Sequence, residues 1–68
     1  ASFGMKNTPL PLDIIFVGKD RRIINIAAQT TPYSLESVSA LGPTSAVFEI
    51  PGGRAAELGI EPGDRVEW

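Results

Sequence analysis

Lys6, Asn7 and Asp13 are the residues of this chain whose types and spacing could do chemistry together. They stand in Met5-Lys6-Asn7-Thr8-Pro9-Leu10-Pro11-Leu12-Asp13, where a cation, an amide and a hydroxyl precede two prolines and a carboxylate enters an apolar run. Lysine offers a point charge and asparagine both a donor and an acceptor, a set suited to an anionic or amide-bearing ligand. The plainer reading is a satisfied polar cluster that ties the N-terminal segment to the long loop. Asp13 divides in the same way. A carboxylate at the start of a buried strand either serves a site or must find Lys6 or backbone donors.

Catalysis has a short menu, because the chain contains neither histidine nor cysteine. Carboxylates, lysine, serine, threonine and tyrosine remain. Ser34, Ser37 and Ser39 fall in a loop that could approach Lys6, but no nucleophile-elbow motif frames any of them. Asp13 and Asp64 could share acid–base work if they faced one another. Against that, an aspartate after Pro62-Gly63 ordinarily bonds local backbone N–H groups. Gly52-Gly53 precedes a helical turn and could offer N–H groups to an anion, yet it lacks the lysine and spacing of a phosphate loop. No cofactor or metal is expected. The enzyme alternative is a weak hydrolase or lyase using Asp13 with Lys6.

The elements that must position these groups are mostly β. Pro9 and Pro11 fix φ and push the residues before them toward extended backbone. Leu12 to Val17 follows as a strand, and its unbroken Ile-Ile-Phe-Val predicts burial on both faces. Gly18-Lys19-Asp20-Arg21 then turns the chain into a second run, Arg22 to Ala28, which makes an antiparallel hairpin. A long loop is expected over about 29–45, rich in Ser, Thr, Pro and Gly and anchored by Tyr33.

Ala46 to Ile50 is read as a third strand, with Phe48 and Ile50 pointing inward. A short helix is expected over about 53–58, packed by Leu58 and the alanines. Gly59 supplies its left-handed end and Ile60 the apolar contact of a Schellman motif. Glu61-Pro62-Gly63-Asp64 fits a type II turn into a last strand, Arg65 to Trp68.

A chain of 68 residues makes one small domain, 1–68, with a marginal core and no disulfide to brace it. Its formal charge of −2, from 6 basic and 8 acidic side chains, leaves no basic stripe for a row of phosphates and argues against nucleic acid as a partner. The longest apolar run is far too short to span a bilayer.

The sequence resembles the family known as domain of unknown function 192, a small β-rich bacterial and archaeal domain without an established activity. The likeness rests on Ser2-Phe3, Met5-Lys6-Asn7-Thr8, Pro11 to Phe16, Pro43, Val47 to Pro51, Gly53, Gly59-Ile60 and Gly63-Asp64-Arg65-Val66. Two departures stand out. Gly4 replaces the family's usual tryptophan, and Arg21 stands where the hairpin turn usually has glycine, which implies an altered turn. The family domain also begins well upstream, so the resemblance implies the C-terminal part of a domain, an incomplete copy lacking N-terminal elements, with an exposed edge or open core. It further implies a periplasmic or secreted location.

The segment Ala55 to Val66 is also similar to the helix-turn-strand of a PDZ domain, which would make the chain a peptide-binding module working by strand addition. The expectation is therefore a mainly β, small antiparallel barrel or sandwich-like domain that binds an unknown small molecule or protein. Lys6, Asn7, Asp13, Tyr33 and Ser34 would line the site, and exposed strand edges make a homo-oligomer a further possibility.

Overall fold

The computed structural model describes residues 2–4, 10–30 and 37–68, with side chains placed over 10–30 and 40–68. Lys6, Asn7, Tyr33 and Ser34 lie outside the described residues. The elements run β1 (Ser2–Gly4), β2 (Leu12–Val17), β3 (Ile23–Ala27), β4 (Ser37–Ser39), β5 (Ala46–Pro51) and α1 (Arg54–Leu58). β1 and β4 form a two-stranded antiparallel ladder, so part of the expected 29–45 loop is a strand. The other sheet has the order β3-β2-β5, with both neighbours antiparallel to β2. The domain is mainly β with one short helix, as expected, but the sheet is not closed into a barrel. Three strands cannot curl far enough for their edges to meet.

β2 is central because its sequence tolerates burial on both sides. Ile14 and Phe16 face one way, joined by Leu12, Ala27, Ala40 and Val47. Ile15 and Val17 face the other, with Ile23, Ile26, Ala46, Ile50, Ile60 and Val66. A strand lined on both faces needs no polar alternation, which is why the Ile-Ile-Phe-Val run is continuous.

The β2–β3 hairpin closes as anticipated. Arg21 N–H donates to the Gly18 carbonyl at 2.9 Å and Gly18 N–H to that of Arg22 at 2.9 Å, while Asp20 accepts from Arg22 N–H at 3.0 Å. A register shift between Phe16 and Val17 marks a bulge just before the turn.

α1 ends as a Schellman motif. Gly59 adopts φ 69, its N–H donates to the Ala56 carbonyl, and Ile60 N–H donates to that of Ala55. The helix packs differently from expectation, because Ala55 alone is buried and Leu58 is 57% exposed. With five residues, α1 turns only one side chain fully to the sheet.

Two further expectations need correction. Arg65 to Trp68 is not a strand: only an isolated bridge joins Arg65 to Arg22. Gly63, Asp64 and Val66 do bond the backbone of Ile23 and Arg21, but the contact ends there. Phe48 does not point fully inward either, since it is 36% exposed and sits edge-on to Trp68 with ring centroids 5.8 Å apart. The Pro62-Gly63 turn matches its expected form, with Gly63 at φ 92 and Asp64 N–H donating to the Glu61 carbonyl at 3.1 Å.

Candidate functional site

Asp13 enters β2 on the same face as Ile15 and Val17, and its side chain is completely buried. No cation among the described residues bonds it. Three backbone N–H groups do: Gln29 at 2.8 Å and Gly53 at 3.0 Å to Oδ1, and Ala55 at 2.8 Å to Oδ2. Gln29 and Gly53 both have left-handed backbone, at φ 47 and φ 89, so each donor sits at a sharp change in chain direction.

α1 has no side-chain cap from its own N-cap residue, Gly53. Asp13 performs that function from another element, taking up N–H groups that the start of a helix leaves without partners.

Burial pushes the Asp13 carboxyl up, and the bonds from Gln29, Ala55 and Gly53 more than offset this, holding it below its ordinary value. The arrangement is a clasp between β2, the end of β3 and the β5–α1 turn. Thr30 adds a second tie beside it: its N–H and its hydroxyl both donate to the Leu12 carbonyl at 2.9 Å. Gly52 N–H donates to the Pro11 carbonyl at 3.0 Å across the same junction. Acid–base chemistry by Asp13 on a ligand would require breaking the clasp, since no part of the carboxylate reaches solvent.

Asp64 is also engaged locally, accepting from Glu61 N–H at 2.8 Å within its turn. The two aspartates share no partner. Among the described residues no group of three or more His, Cys, Asp or Glu is placed to hold a metal. No helix among them is long and apolar enough to cross a membrane.

Among the described residues are two open clefts. One, of about 430 Å³, lies between the hairpin turn and residues 42–45, with Lys19, Asp20 and Thr44 on an apolar wall that includes Ile24 and Pro43. The other, of about 400 Å³, opens on the Ile15 face of the sheet. Its walls are Ile15, Ile23, Phe48, Ile50, Ile60 and Val66, and its rim carries Asp64, Arg65 and Glu67. Arg65 and Glu67 pair across that rim at 3.0 Å.

Sequence reasoning missed this second cleft because its walls come from β2, β3, β5 and the chain around the Pro62-Gly63 turn. The one local signal was an apolar residue on either side of that turn, Ile60 and Val66.

The DUF192 family model, described as Uncharacterized ACR, matches residues 1–68. A crystal structure of a protein of unknown function from Novosphingobium aromaticivorans DSM 12444 is 63% identical, with a TM-score of 0.97. It is matched over 100% of this chain and 49% of its own length. A second, described as a candidate transcription regulator from Sinorhizobium meliloti 1021, is 37% identical with a TM-score of 0.93, over 98% of this chain and 52% of its own. The chain thus spans about half the length of these solved chains. No curated protein matches it.

Proposed function

The chain belongs to the DUF192 family, whose activity is uncharacterised, and on that premise we propose that it is a protein-binding module. The observation that carries the reading is the cleft on the Ile15 face, about 400 Å³, walled almost wholly by aliphatic side chains and Phe48. A site of this kind gains from burying an apolar side chain at roughly 25 cal/mol per Å². Its rim carries both signs of charge, Asp64 and Glu67 against Arg65, with no cluster of one sign. That combination suits a polypeptide, with its neutral amide backbone and apolar side chains, better than a strongly charged small molecule.

The reading is tested by NMR titration of the isotope-labelled protein with an unstructured peptide carrying one leucine between glycine and serine flanks. Shifts grouped at Ile15, Ile23, Ile50 and Ile60 support it, as does a several-fold loss of affinity in Val66→Thr. Shifts confined to Lys19, Asp20 and Thr44, or none at saturating peptide, overturn it.

A further inference from the structure

We propose that Arg21 is a latch that fixes the strap of residues 64–68 as one wall of the Ile15-face cleft. Its consequence for binding rests on the reading of that cleft as a peptide site, whereas the latch itself is a property of the chain alone.

Asp64, Arg65, Val66 and Glu67 line the cleft, and Val66 packs against the cluster of Ile15, Val17 and Ile23. The strap is tied to the hairpin at both ends. At its near end Gly63 N–H donates to the Ile23 carbonyl at 2.8 Å, Ile23 N–H to that of Asp64 at 2.9 Å, and Arg22 Nη1 to that of Gly63 at 3.1 Å. Beyond Asp64, the hydrogen bonds between strap and hairpin among the described residues both involve Arg21. Its carbonyl accepts from Val66 N–H at 2.7 Å, and its Nη1 donates to the Trp68 carbonyl at 2.9 Å. Its guanidinium also lies 4.7 Å from the centroid of the Trp68 ring, which in turn meets Phe48, another wall of the cleft, edge-on.

Stability does not account for an arginine at this position. Arg21 closes the hairpin in left-handed backbone at φ 64, where glycine sits without steric cost. An exposed cation over a ring contributes about as much stability as that conformation costs, or less. What arginine supplies and glycine cannot is a side chain long enough to reach from the turn to residue 68. Strained backbone persists where a structure makes use of it, and here the use is the position of the strap. With the latch closed, the Val66 wall and the Arg65–Glu67 pair on the rim stand preformed, so an entering apolar side chain does not have to order them.

Amide hydrogen exchange of the chain without peptide, followed by NMR, tests this in three variants. Arg21→Gly and Arg21→Met both remove the guanidinium, but only Arg21→Gly relieves the left-handed backbone. Exchange at Val66 should speed several-fold in both, while Gly63 at the near end of the strap and Thr30 on the far side of the sheet keep their natural rates. Arg21→Lys, which returns a cation over the ring without the planar donor fork, should recover part of the protection. In the leucine-peptide titration Arg21→Gly should bind several-fold more weakly than the natural chain. Unchanged Val66 exchange in Arg21→Met overturns the latch. So does equal acceleration at Gly63 and Thr30, or a peptide affinity that Arg21→Gly leaves intact. A peptide that binds neither protein removes the peptide reading alone, and Val66 exchange still decides the latch.

Discussion

The Asp13 carboxylate accepts the Ala55 N–H at 2.8 Å from 42 residues away, so the first turn of the helix is capped by a strand laid down near the start of the chain. Asp13→Asn tests what this contact contributes. The amide keeps the shape of the carboxylate but offers one acceptor oxygen in place of two. Whichever way it is flipped, its NH₂ confronts at least one of the three N–H donors, of which Ala55's is buried. Hydrogen bonds to charged groups and the cost of stranding a buried donor together put the loss at about 3 kcal/mol, read as a lower urea midpoint with unchanged slope. A midpoint within error of the natural chain's would show that the clasp is not a major support.

The same residue sets an acid limit. Asp13's folded pKa lies below its ordinary value of 3.8, so the unfolded chain takes up the proton first as pH falls. Its contribution to stability is complete well above 3.8 and is lost as pH drops through the lower folded value. The stability gap between the natural chain and Asp13→Asn should therefore be constant near neutral pH and shrink in acid. Denaturant titrations of both proteins at several pH values measure it, and a gap that widened in acid would contradict the assignment.

What was legible in the sequence, and what was not, divides by the distance over which the physics acts. The buried strand, the hairpin and the Gly59 helix ending were readable because each rests on residues within a few positions of one another. The sequence alone does not choose for Asp13 between a site, Lys6 and backbone donors, since Gln29, Gly53 and Ala55 are brought to it only by the tertiary fold. Arg65 to Trp68 looked like a strand by composition, yet it lies along β3 for a single bridge. Phe48 alternates with Val47 as the two-residue period requires, but its half-exposed ring meets the Trp68 ring edge-on instead of lying fully inside the core. The cleft has no linear signature beyond Ile60 and Val66 on either side of the Pro62-Gly63 turn, being assembled from four separated segments.

Two glycines separate close approach from backbone conformation. A Cβ on Gly52 would lie 3.0 Å from Pro11 Cβ and 3.1 Å from its carbonyl carbon and oxygen, where rigid backbone must move. Gly59 has open space around it but φ 69. Gly52→Ala should cost roughly 1–3 kcal/mol by forcing the Pro11 junction apart. It should also speed amide exchange at Gly52, whose N–H bonds Pro11. Gly59→Ala should cost about 1 kcal/mol through left-handed backbone alone, with Gly52 exchange unchanged. Faster Gly52 exchange in both variants would mean the two positions are not independent.

Arg21 occupies left-handed backbone at φ 64, a conformation that glycine adopts without steric cost. What the arginine gains there is a contact: its guanidinium lies over the Trp68 ring, 4.7 Å from the centroid, and its Nη1 donates to the Trp68 carbonyl at 2.9 Å. At an exposed position such a stack contributes about 0.5–1 kcal/mol, against a left-handed cost of about 1–2 kcal/mol. Arg21→Ala keeps the strain and loses the contact, whereas Arg21→Gly loses both. Thermal unfolding should accordingly place Arg21→Gly close to the natural chain and Arg21→Ala below both, with the two variants separated by about 1 kcal/mol. Tryptophan fluorescence should change equally in the two, since both free Trp68 from the cation. If Arg21→Ala were as stable as Arg21→Gly, the turn would not be carrying left-handed strain at residue 21.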